Sequence, residues 1–113
     1  MKKTLYNILI SFFACTILLF SACNLEQVAP DTPDCIILKI DELKEIPVID
    51  KPIAVYEYYY KNLVVYYIPA YFDGMMSELY DEQCNLLCYP DGGDDLCSDF
   101  HEEAAFIRLI WEK

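Results

Sequence analysis

Glycine is scarce in this chain, three residues in 113, and cationic side chains are few, eight Lys and Arg against nineteen Asp and Glu with a single His. Each shortage excludes something. No glycine-rich loop exists to cradle a phosphate, and no Gly-x-Ser-x-Gly elbow exists to present a nucleophilic serine. No Cys-x-x-Cys pair is present, which removes the usual dithiol redox motif. Residues 1–22 hold Lys2 and Lys3 and no acid, so the remaining 91 residues carry 6 basic against 19 acidic side chains, a net of −13. Nucleic acid is a poor partner for such a surface, because phosphate binding needs clustered cations to displace counterions. Charge attraction to anionic lipid is disfavoured for the same reason. What the chain does have is apolar and aromatic bulk, 56% and 15%, enough to exclude a disordered tail and to build one domain at this length.

The bulk is unevenly placed. Met1-Lys2-Lys3-Thr4 is a short cationic start, and residues 5–20 form an apolar run in which Asn7, Ser11 and Thr16 are the clearly polar residues. A spanning helix takes about 20 apolar residues, so residues 1–22 read as a secretory signal peptide. The run ends in Leu19-Phe20-Ser21-Ala22-Cys23. These residues resemble the lipobox of bacterial lipoproteins, with Phe20 standing where Leu is usual. The resemblance implies cleavage before Cys23, acylation of that cysteine, and attachment by hydrocarbon, each buried methylene being worth about 0.8 kcal/mol. Asn24 is not Asp, and by analogy with other bacterial lipoproteins the destination is the cell envelope, at the outer membrane. Residues 23–33 are then a lipidated tether and residues 34–113 a small domain.

Thr32-Pro33-Asp34 reads as a helix start, with Thr32 as the hydroxyl cap. Ile36, Ile37, Ile40 and Leu43 follow at helical spacing, and Ile46-Pro47 ends the helix. Residues 53–70 are rich in β-branched and aromatic side chains and broken at Lys61-Asn62, which predicts an antiparallel hairpin with Tyr60 opposite Leu63, Tyr58 opposite Val65 and Tyr56 opposite Tyr67. Glu57 marks its own side as the outer one, so Tyr56, Tyr58, Val65 and Tyr67 are expected under the helix. A second hairpin is expected from residues 76–80 and 86–89, then a last strand over 105–111 with Ile107, Leu109 and Trp111 on one face and Phe106, Arg108 and Ile110 on the other. The fold class is α+β: one N-terminal helix packed on an antiparallel meander of about four to five strands.

Beyond the lipobox, the capped helix, Val55-Tyr56-Glu57-Tyr58 with Val65-Tyr66-Tyr67-Ile68, Cys88-Tyr89-Pro90 with Gly92-Gly93, and Phe106-Ile107-Arg108-Leu109-Ile110-Trp111 together resemble the small uncharacterised lipoproteins common in Bacteroidota, whose domain has no known function. These motifs are structural, and no activity comes with the resemblance.

With Cys15 lost in the signal and Cys23 acylated, Cys35, Cys84, Cys88 and Cys97 remain, an even set for an oxidising compartment. Of three connectivities we favour Cys88 with Cys97 and Cys35 with Cys84. Zinc is not supported by the spacing. Asp91, Asp94, Asp95 and Asp99 offer the hard oxygen ligands that calcium takes, but they match no loop motif, and an acidic turn explains them. His101, beside Glu102 and Glu103 in a polar loop, lacks a nucleophile to serve. No motif calls for a cofactor or a metal, and an enzyme is not expected. The candidate binding face is the hairpin's second side, Glu57, Tyr59, Val64, Tyr66 and Ile68, too apolar to stay bare. The expected function is a lipid-anchored, non-enzymatic binding or interaction module with an unknown protein or glycan partner. A cystatin-like inhibitor or protective protein, or a calcium-dependent structural protein, is the alternative.

Overall fold

Residues 54–68 concentrate the tyrosines and branched side chains, and they form two adjoining strands of the sheet. In the computed structural model, which describes residues 27–92 and 96–113, β1 (Ala54–Tyr60) and β2 (Leu63–Ile68) pair antiparallel with Tyr60 opposite Leu63, Tyr58 opposite Val65 and Tyr56 opposite Tyr67. This is the register that a two-residue loop dictates. Lys61 and Asn62 turn the corner at φ 49° and 64°, the double left-handed conformation that matches the twist of a hairpin without glycine. The expected signal peptide, residues 1–22, and Cys23 lie outside the described residues.

Two short strands, β3 (Glu78–Tyr80) and β4 (Leu86–Cys88), continue the meander. Asp81 organises the loop between them: its carboxylate accepts the backbone N–H groups of Gln83 and Asn85, both at 2.9 Å, and the Asn85 amide at 3.0 Å. Burial alone would raise the Asp81 carboxyl, but these donors prevail and hold it below its ordinary value.

The last strand, β5 (Ala105–Glu112), departs from a meander. It pairs with β1, giving the antiparallel order β4-β3-β2-β1-β5. The chain must therefore cross the sheet between β4 at one edge and β5 at the other. Two register shifts, between Val55 and Tyr56 and between Glu57 and Tyr58, break the strict alternation expected of β5. Trp111 lies opposite Val55 and Arg108 opposite Glu57, while Leu109 and Phe106 lie opposite Tyr56 and Tyr58. The expected grouping of Trp111 with Leu109, and of Arg108 with Phe106, is thus reversed by the extra residues.

The helix α1 (Asp34–Lys44) buries Ile36, Ile40 and Leu43 against Val55, Tyr66, Ile68, Tyr80, Ile110 and Trp111. Burial of an aliphatic side chain of this size contributes about 1.5–3 kcal/mol. The covered side is the one that holds Glu57, opposite to the expectation. The charge misleads because Arg108 sits across from it, with Nε donating to Glu57 Oε2 at 2.6 Å and Nη1 to the Pro30 carbonyl at 2.7 Å. A paired carboxylate can face a core, so a lone acidic residue does not mark the wet side of a strand. Among the described residues the Trp111 indole N–H is buried here without an acceptor.

Thr32 does not cap the helix. Pro33 takes the N-cap position, and the buried Thr32 hydroxyl donates to the Ala29 carbonyl at 2.7 Å. Ala29 in turn donates to Ile110 at 2.9 Å, so the stretch read as tether is docked on the edge of β5 from Val28 onward. At the other end of the helix the ammonium of Lys113 donates to the carbonyls of Lys44 and Ile46, at 2.5 and 2.6 Å, and so satisfies the last helical carbonyl and one just beyond the helix.

Candidate functional site

The crossing segment, described over residues 89–92 and 96–104, decides what the other face of the sheet becomes. It is fastened at its start by a disulfide between Cys88 and Cys97 and ends in the short helical turn α2 (Phe100–Glu103), a stretch read from sequence as a loop. Phe100, 1% exposed, drops from this turn onto the sheet. Its ring meets Tyr58, Tyr60 and Tyr67 at centroid distances of 5.1, 5.4 and 5.0 Å. With Val65, Leu79, Cys88 and Cys97 they form a second, smaller core. The Tyr60 hydroxyl donates to Asp99, and Lys61 donates to the Leu96 carbonyl at 3.3 Å, so the hairpin tip is tied to the crossing segment.

This cover stops half-way. Tyr56, Tyr58 and Tyr67 are only partly buried, and Phe106 and Leu109 beside them are 58% and 42% exposed. The rings are already interlocked edge to face, Phe106 with Tyr58 at 5.5 Å and with Tyr56 at 6.3 Å, and Tyr58 with Tyr67 at 5.9 Å. The result is a preorganised apolar surface with phenol groups, the kind of surface that loses little side-chain entropy on contact.

Along one side of this surface stand Ser77, Asp91 and His101. Asp91 accepts the Ser77 hydroxyl on one carboxylate oxygen and pairs with His101 Nε2 at 2.8 Å on the other. Ser77 also accepts the Ala70 N–H at 3.0 Å. Burial would raise the Asp91 carboxyl, but Ser77 and His101 outweigh it and hold it below the ordinary carboxylate range. Base-assisted attack needs the imidazole between hydroxyl and carboxylate. Here the carboxylate stands between, so the Ser77 proton is given to Asp91 rather than to His101. The trio fastens the crossing segment to the loop before β3. His101 adds its ring to the aromatic surface, 5.7 Å from Tyr67.

The second disulfide joins Cys35 of α1 to Cys84 of the β3–β4 loop, with Cα atoms 6.0 Å apart. Of the four acids weighed for calcium, Asp91 is held by Ser77 and His101, Asp99 by Tyr60 with Lys61 at 4.0 Å, and Asp94 and Asp95 lie outside the described residues. Among the described residues no group of three or more His, Cys, Asp or Glu side chains is placed to hold a metal ion.

The expected binding face is corrected by the same geometry. Glu57, Tyr66 and Ile68 are buried and Val64 is partly buried, all beneath or beside the helix, and Tyr59 at the far end of β1 is left exposed. Two-sided strands leave the choice of outer face to whatever the helix covers, and the open surface is the one built on Tyr56, Tyr58 and Tyr67. Sequence reasoning missed Phe100 and Ser77. The available signal was Phe100 itself, an isolated aromatic in a polar stretch just after Cys97.

The model of a domain of unknown function, DUF6970, matches residues 41–113. The chain belongs to the DUF6970 family. The match takes in all five strands and both faces of the sheet, and begins inside α1, so that Cys35 precedes it while its partner Cys84 falls within it. No curated protein and no solved structure matches the chain.

Proposed function

We propose that this chain is a lipid-anchored protein of the cell envelope, held through Cys23 at the outer membrane, and that it works as a non-enzymatic binding module. The observation that carries the binding reading is the half-covered aromatic surface of Tyr56, Tyr58, Tyr67, Phe106 and Leu109, with no further strand or loop among the described residues laid over it. An apolar surface of this kind on an otherwise acidic protein marks a partner site. The partner it suits is a protein or glycan that presents an apolar face and hydrogen-bonding groups to the phenols. An inhibitor reading asks for a free hairpin tip, and Lys61 at that tip is engaged by the crossing segment.

The test is affinity capture of the intact protein from its own envelope fraction, with mass spectrometry of bait and prey, beside the same capture with Phe106→Ala and Leu109→Ser. Both positions are exposed, so the fold tolerates them. The expected result is an acylated N-terminal Cys23 and a prey lost with the two substitutions. A bait starting at Met1 with a bare Cys23 thiol overturns the anchor, and prey retained in full by the substituted protein overturns the surface.

A further inference from the structure

A second exposed apolar region lies at one end of the sheet, away from the aromatic surface. Ile46, Pro47, Ile49, Tyr71 and Phe72 line an open cavity of about 210 Å³. Ile49 is the most exposed large apolar residue among those described, at 76%, with Phe72 at 48% and Val48 beside it. The end of β5 reaches the same place: Lys113 donates from its backbone to Ile53 at 2.8 Å and from its ammonium to the carbonyls of Lys44 and Ile46.

The N-terminal segment leads there too. Pro30 is held by Arg108, Ala29 by Ile110, and Gln27 stands with Glu112, so the segment runs antiparallel to β5 and, traced backwards, leaves the domain at the Glu112 end. Cys23 is four residues before Gln27, and four residues span at most about 14 Å. The eight residues of β5 run roughly 26 Å toward the opposite end. A lipid on Cys23 is therefore confined to the end of the molecule that carries Ile49 and Phe72.

We propose that residues 46–49 and 71–72 rest in the interfacial layer of the bilayer that holds the Cys23 lipid, so that the domain meets the membrane at two points and turns the Lys61–Asn62 hairpin away from it. This rests on the lipidation reading above. Contact through apolar side chains suits a chain whose net charge repels anionic headgroups, because area rather than charge supplies the attraction. With its orientation fixed in this way, the aromatic surface stands along the side of the domain, reachable by a partner from the aqueous phase.

The experiment uses the full-length chain, processed in its host, purified and reconstituted into phosphatidylethanolamine vesicles containing nitroxide-labelled lipid. An environment-sensitive fluorophore is placed on Ile49→Cys or, at the opposite end, on Leu63→Cys; both sites are exposed, so neither label disturbs the core. The intact mass of each preparation is measured first. Lipid contact predicts an acylated mass and about two-fold stronger quenching at position 49 than at 63, since interfacial apolar groups sit about 5–10 Å into the boundary. An acylated mass with equal quenching at both sites overturns the contact and leaves the anchor standing. A label at 49 that is shielded but not quenched by the lipid, with cross-links between chains through position 49, assigns the patch to a second copy and also overturns it. An unacylated mass removes the anchor and the contact together.

Discussion

The two faces of the sheet are covered in different ways. The helix face is closed by an eleven-residue helix whose Ile36, Ile40 and Leu43 reach into one continuous core with Trp111 and Ile110, and a disulfide from Cys35 locks it to a loop 49 residues on. The aromatic face is closed only in part by a chain segment in transit, held by a disulfide spanning 9 residues, one buried phenylalanine and the bonds of Asp91 and Asp99. A helix with an apolar stripe has no alternative but burial. A crossing loop covers only what lies on its path, and what it leaves open stays exposed, as Phe106 and Leu109 do.

That contrast can be broken most forcefully at the disulfides. In the chain-entropy account, removing Cys35–Cys84 by paired serine substitution costs about 4 kcal/mol and removing Cys88–Cys97 about 2.5, because the longer loop restrains the unfolded chain more. Equilibrium urea unfolding of the two double variants reads the difference; equal losses at both bridges contradict it. Single truncations sharpen the same point. Ile40→Ala leaves a cavity beneath the helix and is expected to cost about 3 kcal/mol, whereas Phe106→Ala on the aromatic face costs under about 1 kcal/mol because its ring is already largely in water.

The ion pair on the helix face gives a third, smaller comparison. Arg108→Met strands the carboxylate of Glu57 against the core and is expected to lower stability by about 2 kcal/mol, and adding Glu57→Leu to the same protein recovers most of that loss. A double variant as unstable as the single one shows that the carboxylate was never the problem. Acid titration supplies the smallest effect. Asp91 is held below the ordinary value of about 3.9, so the unfolded chain binds its proton at a higher pH than the folded one. The stability it contributes is complete above pH 4 and is lost as the pH falls through its folded value. Because this carboxylate is half exposed, the effect amounts to less than about 1 kcal/mol. Asp91→Asn flattens this part of the profile, and urea midpoints at pH 5 and pH 3 measure it. Alkali works on the other face: burial first, then the nearby Glu57, push Tyr66 up to about 12, so the folded state retains a proton that the unfolded chain releases near 10, and stability falls between those values.

Much of this architecture is legible in the amino-acid sequence. The helix limits follow from the spacing of Ile36, Ile40 and Leu43 and from Pro47, and the β1–β2 register follows from a two-residue break. The candidate site was not legible, for a physical reason that Glu57 illustrates. Alternation along a strand separates two sets of side chains but does not say which set is inside, and a single charge decides that only when it has no partner. The partner, Arg108, is 51 residues away on a strand whose own alternation is shifted twice by bulges.

Local spacing and composition, then, determined the elements of this protein, the pairing of neighbouring strands and its net acidity, since those depend on residue content and on contacts a few residues apart. The tertiary structure alone decided that β5 joins β1, that the chain must cross the sheet to get there, and therefore which tyrosines are buried and which stay open. Such outcomes depend on how distant segments share one surface, and the free energy that selects among them belongs to the packed whole rather than to any stretch of sequence.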